Sequence, residues 1–167
     1  KNQSIKEKSI LVIGAGGASR GILPALLKEQ PKSIVIANRT VEKAERIAKE
    51  FSSKALQTSK SSNLIASSLS FEALKDFEFD VVINATSVST NPSQNLNLDE
   101  SVFRNTSLAL DLYYSQAFTP FMDLADRAKV PNVIDGWGML VEQAAESFFL
   151  WTGFKPDTSE LIAKHGE

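Results

Sequence analysis

A doubly wound α/β fold, built on a mainly parallel sheet of six strands with helices on both faces, is predicted by three features of this 167-residue chain. Short β-branched apolar runs alternate with helical patterns along most of its length. Those runs are almost continuously apolar, as strands covered on both faces are. The first of them enters a glycine-rich turn, LVIGAGGASRG at 11–21, which opens directly into a helix.

Each element follows from local residues. Ser9–Ile13 reads as the first strand, and the first helix runs to about Glu29, with Pro24 tolerable only near the N-terminal end. Ile34–Ala37 is the second strand. Thr40 caps a helix over 41–51, where Ala44, Ile47, Ala48 and Phe51 recur at the spacing of one buried face. The Ser/Lys-rich stretch 52–62 has no periodicity and reads as a solvated loop. A weak strand over 64–66, a short helix over 70–75 and a buried strand over Asp80–Ala85 follow. Residues 86–106 read as a polar loop with one helical turn, and Leu108–Leu112 is the next strand. Thr119 then caps a helix with Pro120 at its first position, and Val133–Ile134 closes the strand count. No internal repeat and no second domain are visible.

Composition bounds the function classes. The length suits one domain with a sizeable core, and 43% hydrophobic with 23% charged residues is ordinary for a globular chain. A net charge of −2 argues against general nucleic-acid binding. Zero cysteines exclude disulfides and thiolate metal sites and fit a reducing, cytoplasmic setting. No apolar run approaches the roughly 18–20 residues of a membrane span, and no signal peptide is visible, so no membrane partner is expected. Because the chain begins at Lys1 rather than Met, it is expected to be a piece of a larger protein.

The glycine turn carries the chemistry. Gly14 permits a tight strand-to-helix turn where a side chain would clash, and Gly16 lets backbone approach a pyrophosphate. The N–H groups of Gly17, Ala18 and Ser19 sit at a helix start, where orphan donors favour an anion. Ser19 replaces the strict third glycine. The second strand supplies context. An NAD site ends it with Asp or Glu, whereas this chain has Asn38, Arg39 and Thr40 there. A carboxylate would repel a 2′-phosphate, and the planar guanidinium of Arg39 can grip one, with Lys43 one turn on as a second charge. The pattern is therefore that of an NADP site. The competing reading, a glycine turn followed by solvated basic residues, is disfavoured by the two flanking strands.

Three further segments extend the pattern: NATSVS at 84–89, DLYYSQAFTPFM at 111–122 and DGWGMLVEQAAESFFLWTG at 135–153. With GAGGASRG and NRTVEKA they resemble the carboxyl-terminal NADP-binding domain of the shikimate dehydrogenase family, over nearly the whole chain. The resemblance implies a Rossmann-type domain of an enzyme that reversibly reduces 3-dehydroshikimate to shikimate with NADPH, in aromatic amino-acid biosynthesis. It implies that Asn84, Ala85, Thr86 and Ser87 line the path of the cofactor. Leu112, Gly136 and Met139 would approach the nicotinamide, and Tyr114 and Gln143 would reach the substrate. In the family a lysine and an aspartate of an amino-terminal substrate domain move the proton, so no catalytic residue is assigned in this chain, which alone is expected to be inactive.

Each of these residues also has a plainer reading. Asn84 and Thr86 suit ordinary turn chemistry after a strand, Tyr114 a packing role, and Gln143 a solvated position beside Glu142 and Glu146. Gly136 and Gly138, which let backbone approach a flat ring, also suit a helix-entry loop. Two departures from the family fall around the nicotinamide. Val88-Ser89-Thr90 stands where a glycine is common after the Asn-Ala-Thr-Ser run, and no proline lies between Tyr114 and Thr119-Pro120. The nearer alternatives are a dehydrogenase of quinate or another hydroxylated acid, and a noncatalytic NADP-binding module. A hydrolase is disfavoured because His165, the only histidine, reads as a solvated tail residue and no G-x-S-x-G elbow exists. A metal site is disfavoured by one His and no Cys. Residues 139–151 are apolar on more than one stripe, including Leu140, Val141, Phe148, Phe149, Leu150 and Trp151. Burial on two sides is expected, and the resemblance implies that 138–167 is a return segment that packs on the missing domain. Without that domain, self-association, with a homodimer as its simplest form, or displacement of this segment is expected.

Overall fold

The computed structural model describes residues 4–58, 65–90 and 96–165. Strands β1 (Ser9–Ile13), β2 (Ser33–Ala37), β3 (Ile65–Leu69), β4 (Val81–Asn84), β5 (Leu108–Asp111) and β6 (Val133–Ile134) form one sheet in the order β3-β2-β1-β4-β5-β6. Every pairing is parallel. Five strands of four or five residues carry the sheet, and β6 adds a two-residue edge. The helices are α1 (Gly17–Lys28), α2 (Val41–Thr58), α3 (Pro120–Arg127), α4 (Trp137–Thr152) and α5 (Ser159–Ala163).

Strand alternation divides the core in two. Ile10, Val12, Ile34, Ile36, Val81 and Ile83 pack on one face against Leu23 of α1 and Ala44, Ile47 and Phe51 of α2. Leu11, Ile13, Val35, Val82 and Ala109 point the other way, onto Leu74, Phe79, Phe103 and, from α3, Phe121 and Met122. Both faces are thereby dry, which is why the strands carry no alternating polar face. At the entry end, Asp80 accepts hydrogen bonds from the Ser9 N–H at 2.9 Å and Lys8 Nζ at 3.1 Å, latching β4 to β1. Burial pushes its carboxyl up, but the Ser9 N–H and the Lys8 and Lys32 charges outweigh that and hold it below its ordinary value.

Several boundaries differ from expectation. Helix α2 continues to Thr58 instead of yielding to a loop at 52. No Gly or Pro interrupts 52–58, and serine lowers helix propensity only modestly, so propagation wins. Residues 59–62 of the expected loop lie outside the described residues. Strand β3 is shifted to 65–69, pairing Ser33–Ala37 residue for residue, and the short helix is a 3-10 turn over Glu72–Asp76. Pro24 lies in the second turn of α1, exposed, without ending the helix. The segment after β4 is less polar in effect than in composition. It carries 3-10 turns at Val88–Thr90 and Glu100–Phe103 and buries Leu96, Leu98, Val102 and Phe103. Residues 91–95 lie outside the described residues. The Thr119 cap is as expected, its hydroxyl accepting from the Met122 N–H at 3.2 Å.

Candidate functional site

Strand order reverses at β1, which has β2 on one side and β4 on the other. In open α/β sheets the crevice outside the carboxyl ends at such a point is where ligands bind. A cleft of about 570 Å³ lies there, lined by the turn Gly14–Ala18, by Asn38, Arg39, Thr40 and Lys43, and by Ala85–Val88 with Phe71, Leu96 and Asn97.

Gly14 turns the chain from β1 into α1 at φ +109°, and a Cβ there would stand 2.9 Å from the Ala85 carbonyl oxygen. Both the conformation and the space require glycine. Gly16 and Gly17 are the converse: an added Cβ would meet no protein atom within 4 Å, which leaves their backbone open to a ligand. Ser19, in the third-glycine position, is fully buried and donates its hydroxyl to the Gly14 carbonyl at 2.7 Å. Its hydroxyl thereby fastens the turn from within. Arg39 and Thr40 are exposed at the end of β2, where the Asn38 amide donates to the Thr40 carbonyl at 2.9 Å. Lys43 follows in the first turn of α2. No carboxylate is among the described residues lining the cleft, so its field favours an anion.

The end of β4 corrects one expectation. Asn84 does not line the cleft: it is fully buried beneath it. Its amide nitrogen donates to Asp111 Oδ1 at 3.1 Å and to Ser89 Oγ at 3.0 Å. Its oxygen accepts from the N–H and hydroxyl of Thr86, at 3.1 and 2.7 Å. Thr86, Ala85 and Ser87 do line the cleft, and Asn84 is what holds Thr86 in place. Asp111, at the end of β5, is the hub. Besides Asn84 it accepts from the Tyr113 N–H at 3.1 Å, Ser89 Oγ at 2.5 Å and Thr119 Oγ1 at 2.7 Å. Four donors saturate a carboxylate that is entirely shielded from solvent.

The remaining expected residues form a second group outside the cleft lining. Leu112 donates its N–H to the Asn84 carbonyl at 2.9 Å, and Gly136 donates to the Tyr113 carbonyl at 3.1 Å. The loop after β5 and the turn entering α4 are thus stitched together. Met139 is half-buried in the first turn of α4, while Tyr114 and Gln143 are exposed. His165 departs from expectation: it is no solvated tail residue but stacks on Trp137 and meets Asp135. Sequence reasoning also missed Phe71, Val88, Leu96 and Asn97 in the cleft, and Asp111 beneath it. Phe71 was discoverable as the first large apolar residue past a correctly placed β3. Asp111 was discoverable as the lone acid in the apolar run LALDL.

The family model described as shikimate/quinate 5-dehydrogenase matches residues 1–114, and one described as shikimate 5′-dehydrogenase C-terminal domain matches 136–163. A shikimate dehydrogenase (NADP(+)) of Nitrosospira multiformis is 42% identical over 159 residues, covering 95% of this chain and 54% of that protein. An Ael1 enzyme from Pseudomonas putida superposes with a TM-score of 0.82 at 36% identity, covering 99% of this chain and 57% of that one. A shikimate dehydrogenase in complex with NADP+ gives a TM-score of 0.77 at 34% identity, covering 98% of this chain and 56% of the other. The chain spans about half the length of the curated relatives it matches.

Proposed function

The chain belongs to the shikimate/quinate 5-dehydrogenase family, and on that premise we propose that it is the carboxyl-terminal, NADP-binding half of a shikimate dehydrogenase. The observation that carries the reading is the cleft lining: a glycine turn at a helix start, Arg39 and Lys43 on the opposite lip, and no carboxylate among the described residues. The cofactor supplies hydride to 3-dehydroshikimate or accepts it from shikimate. The residues of this chain bind and orient it. Gly14, Gly16, Gly17, Ala18 and Ser19 cradle the pyrophosphate by backbone, and Asn38, Arg39, Thr40 and Lys43 hold the 2′-phosphate. Ala85, Thr86 and Ser87 border the ribose, while Leu112, Gly136 and Met139 stand on the nicotinamide side. Tyr114 and Gln143 face the substrate. The proton-transferring groups belong to an amino-terminal domain outside this chain, so the chain alone turns nothing over, and its place of action is the cytoplasm.

Arg39→Ala tests the assignment. Loss of a charge-assisted contact costs roughly ten- to a hundredfold in affinity. Calorimetric titration is expected to show that loss for NADP+ and little change for NAD+. Equal losses for both cofactors would overturn the 2′-phosphate role.

The same reading makes 138–167 the return segment to the substrate domain. Along α4 only Val141 and Ala145 are buried, whereas Leu150 is 79% and Trp151 82% exposed. Apolar surface of this kind finds a partner in solution. Light scattering is expected to show concentration-dependent self-association of the isolated chain, relieved by Leu150→Lys with Trp151→Lys. A strict monomer at all concentrations would contradict the return-segment role.

A further inference from the structure

We propose that His165 is a positioning residue, the end of a clasp by which the tail of the chain fixes the turn on the nicotinamide side of the site. The inference rests on the functional reading above for what the turn does, and on side-chain geometry for the clasp itself.

Asp135, immediately before Gly136, keeps only 8% of its side chain exposed. Its Oδ2 lies 2.7 Å from His165 Nε2 and accepts the Ser115 N–H at 3.0 Å, while Oδ1 accepts the Trp137 N–H at 3.1 Å. One carboxylate therefore joins the loop after β5, the first turn of α4 and the tail. The His165 ring lies parallel to the Trp137 indole at 13°, with centroids 5.0 Å apart. Tyr114 packs 5.9 Å from the same indole, and the Trp137 Nε1–H donates to the Leu161 carbonyl at 3.2 Å.

The approach of the tail is itself tethered. Lys155 pairs with Glu146, and Thr158 donates its hydroxyl to Glu142 at 2.6 Å, so the tail runs back along α4 toward its start. His165 then does two things at one place: it covers an indole face with a flat ring and supplies a nitrogen to a shielded carboxylate. Without it, Asp135 loses a partner and Trp137 one stacking face. The segments that carry Leu112, Tyr114, Gly136 and Met139 would hold their relative position less firmly. The phosphate end is built on β1, β2 and α1 and shares none of these contacts. Loss of the clasp therefore weakens one end of the site and spares the other.

Two ligands separate the ends. NADP+ uses both, and adenosine 2′,5′-bisphosphate keeps the 2′-phosphate but lacks the nicotinamide. With the 167-residue chain, His165→Ala is expected to weaken NADP+ roughly three- to tenfold, the scale of lost pre-organisation, and to leave the bisphosphate unchanged. His165→Phe, which retains stacking alone, is expected to fall between. Unchanged NADP+ affinity, or equal loss for both ligands, would overturn the proposal. If the parent chain bound neither ligand, the functional reading would fall instead. The clasp is read separately by proton NMR of the single histidine. Its ring protons are expected to be shifted upfield by Trp137 and to return toward free-histidine positions in Trp137→Leu. Ring protons already at free-histidine positions in the parent would overturn the clasp itself.

Discussion

Asp111→Ala is expected to lower the stability of the chain by about 3–5 kcal/mol, the scale at which a buried charge network loses its central partner. The carboxylate is fully buried and takes hydrogen bonds from Asn84, Ser89, Tyr113 and Thr119. Truncation would leave four donors facing a cavity, each with its desolvation cost and no acceptor. The damage also reaches the cleft, because Asn84, left with Ser89 as its one remaining acceptor, holds Thr86 less firmly. Asp111→Asn separates these effects. The Ser89 and Thr119 hydroxyls can turn to accept from the new amide, so about 1–3 kcal/mol is expected. Urea unfolding followed by circular dichroism measures both variants. A loss below about 1 kcal/mol for the alanine variant would mean that water or repacking replaces the carboxylate.

Gly136→Ala is the second large effect, and its cause is steric alone. Gly136 has φ −78° and ψ 4°, which alanine adopts without strain. An added Cβ, however, would lie 2.1 Å from the Leu112 carbonyl oxygen and 2.7 Å from its carbon. These are backbone atoms that no rotamer change can move, so the loop after β5 must separate from the turn entering α4. About 3 kcal/mol of destabilisation is expected, toward the upper end for overpacking. Gly138→Ala is the control two residues away. Its Cβ would meet nothing within 4 Å, and it lies inside α4, where alanine is favoured over glycine by about 0.5–1 kcal/mol. Opposite shifts of the thermal midpoint are therefore expected. Destabilisation of similar size in both variants would show that the clash at Gly136 is absorbed and that glycine serves α4 in some other way.

The phosphate end of the site was legible because it is written in neighbours. A β-branched run, a glycine that must turn, and a helix start lie within Ser9–Ser19, and Arg39 follows its strand by two residues. Backbone sterics and strand periodicity act over such distances, so these elements and the parallel α/β order could be read in advance. Boundaries were less legible where propensities nearly cancel, as in 52–58. There the sequence holds no breaker, and helix propagation decided what composition left even.

What only the tertiary structure decided is the fate of individual polar side chains. Asn84 reads as a cleft residue and Asp111 as nothing in particular, yet they meet across 27 positions of chain beneath the cleft floor. His165 reads as a tail residue and meets Asp135 across 30 positions. Whether such a group faces water or a partner depends on which distant segment folds over it, and no local pattern encodes that. A period in the sequence reports which face of an element is dry. Which carboxylate, amide or imidazole completes a buried network is settled by packing, because an unpaired polar group there would cost more than the fold can spare.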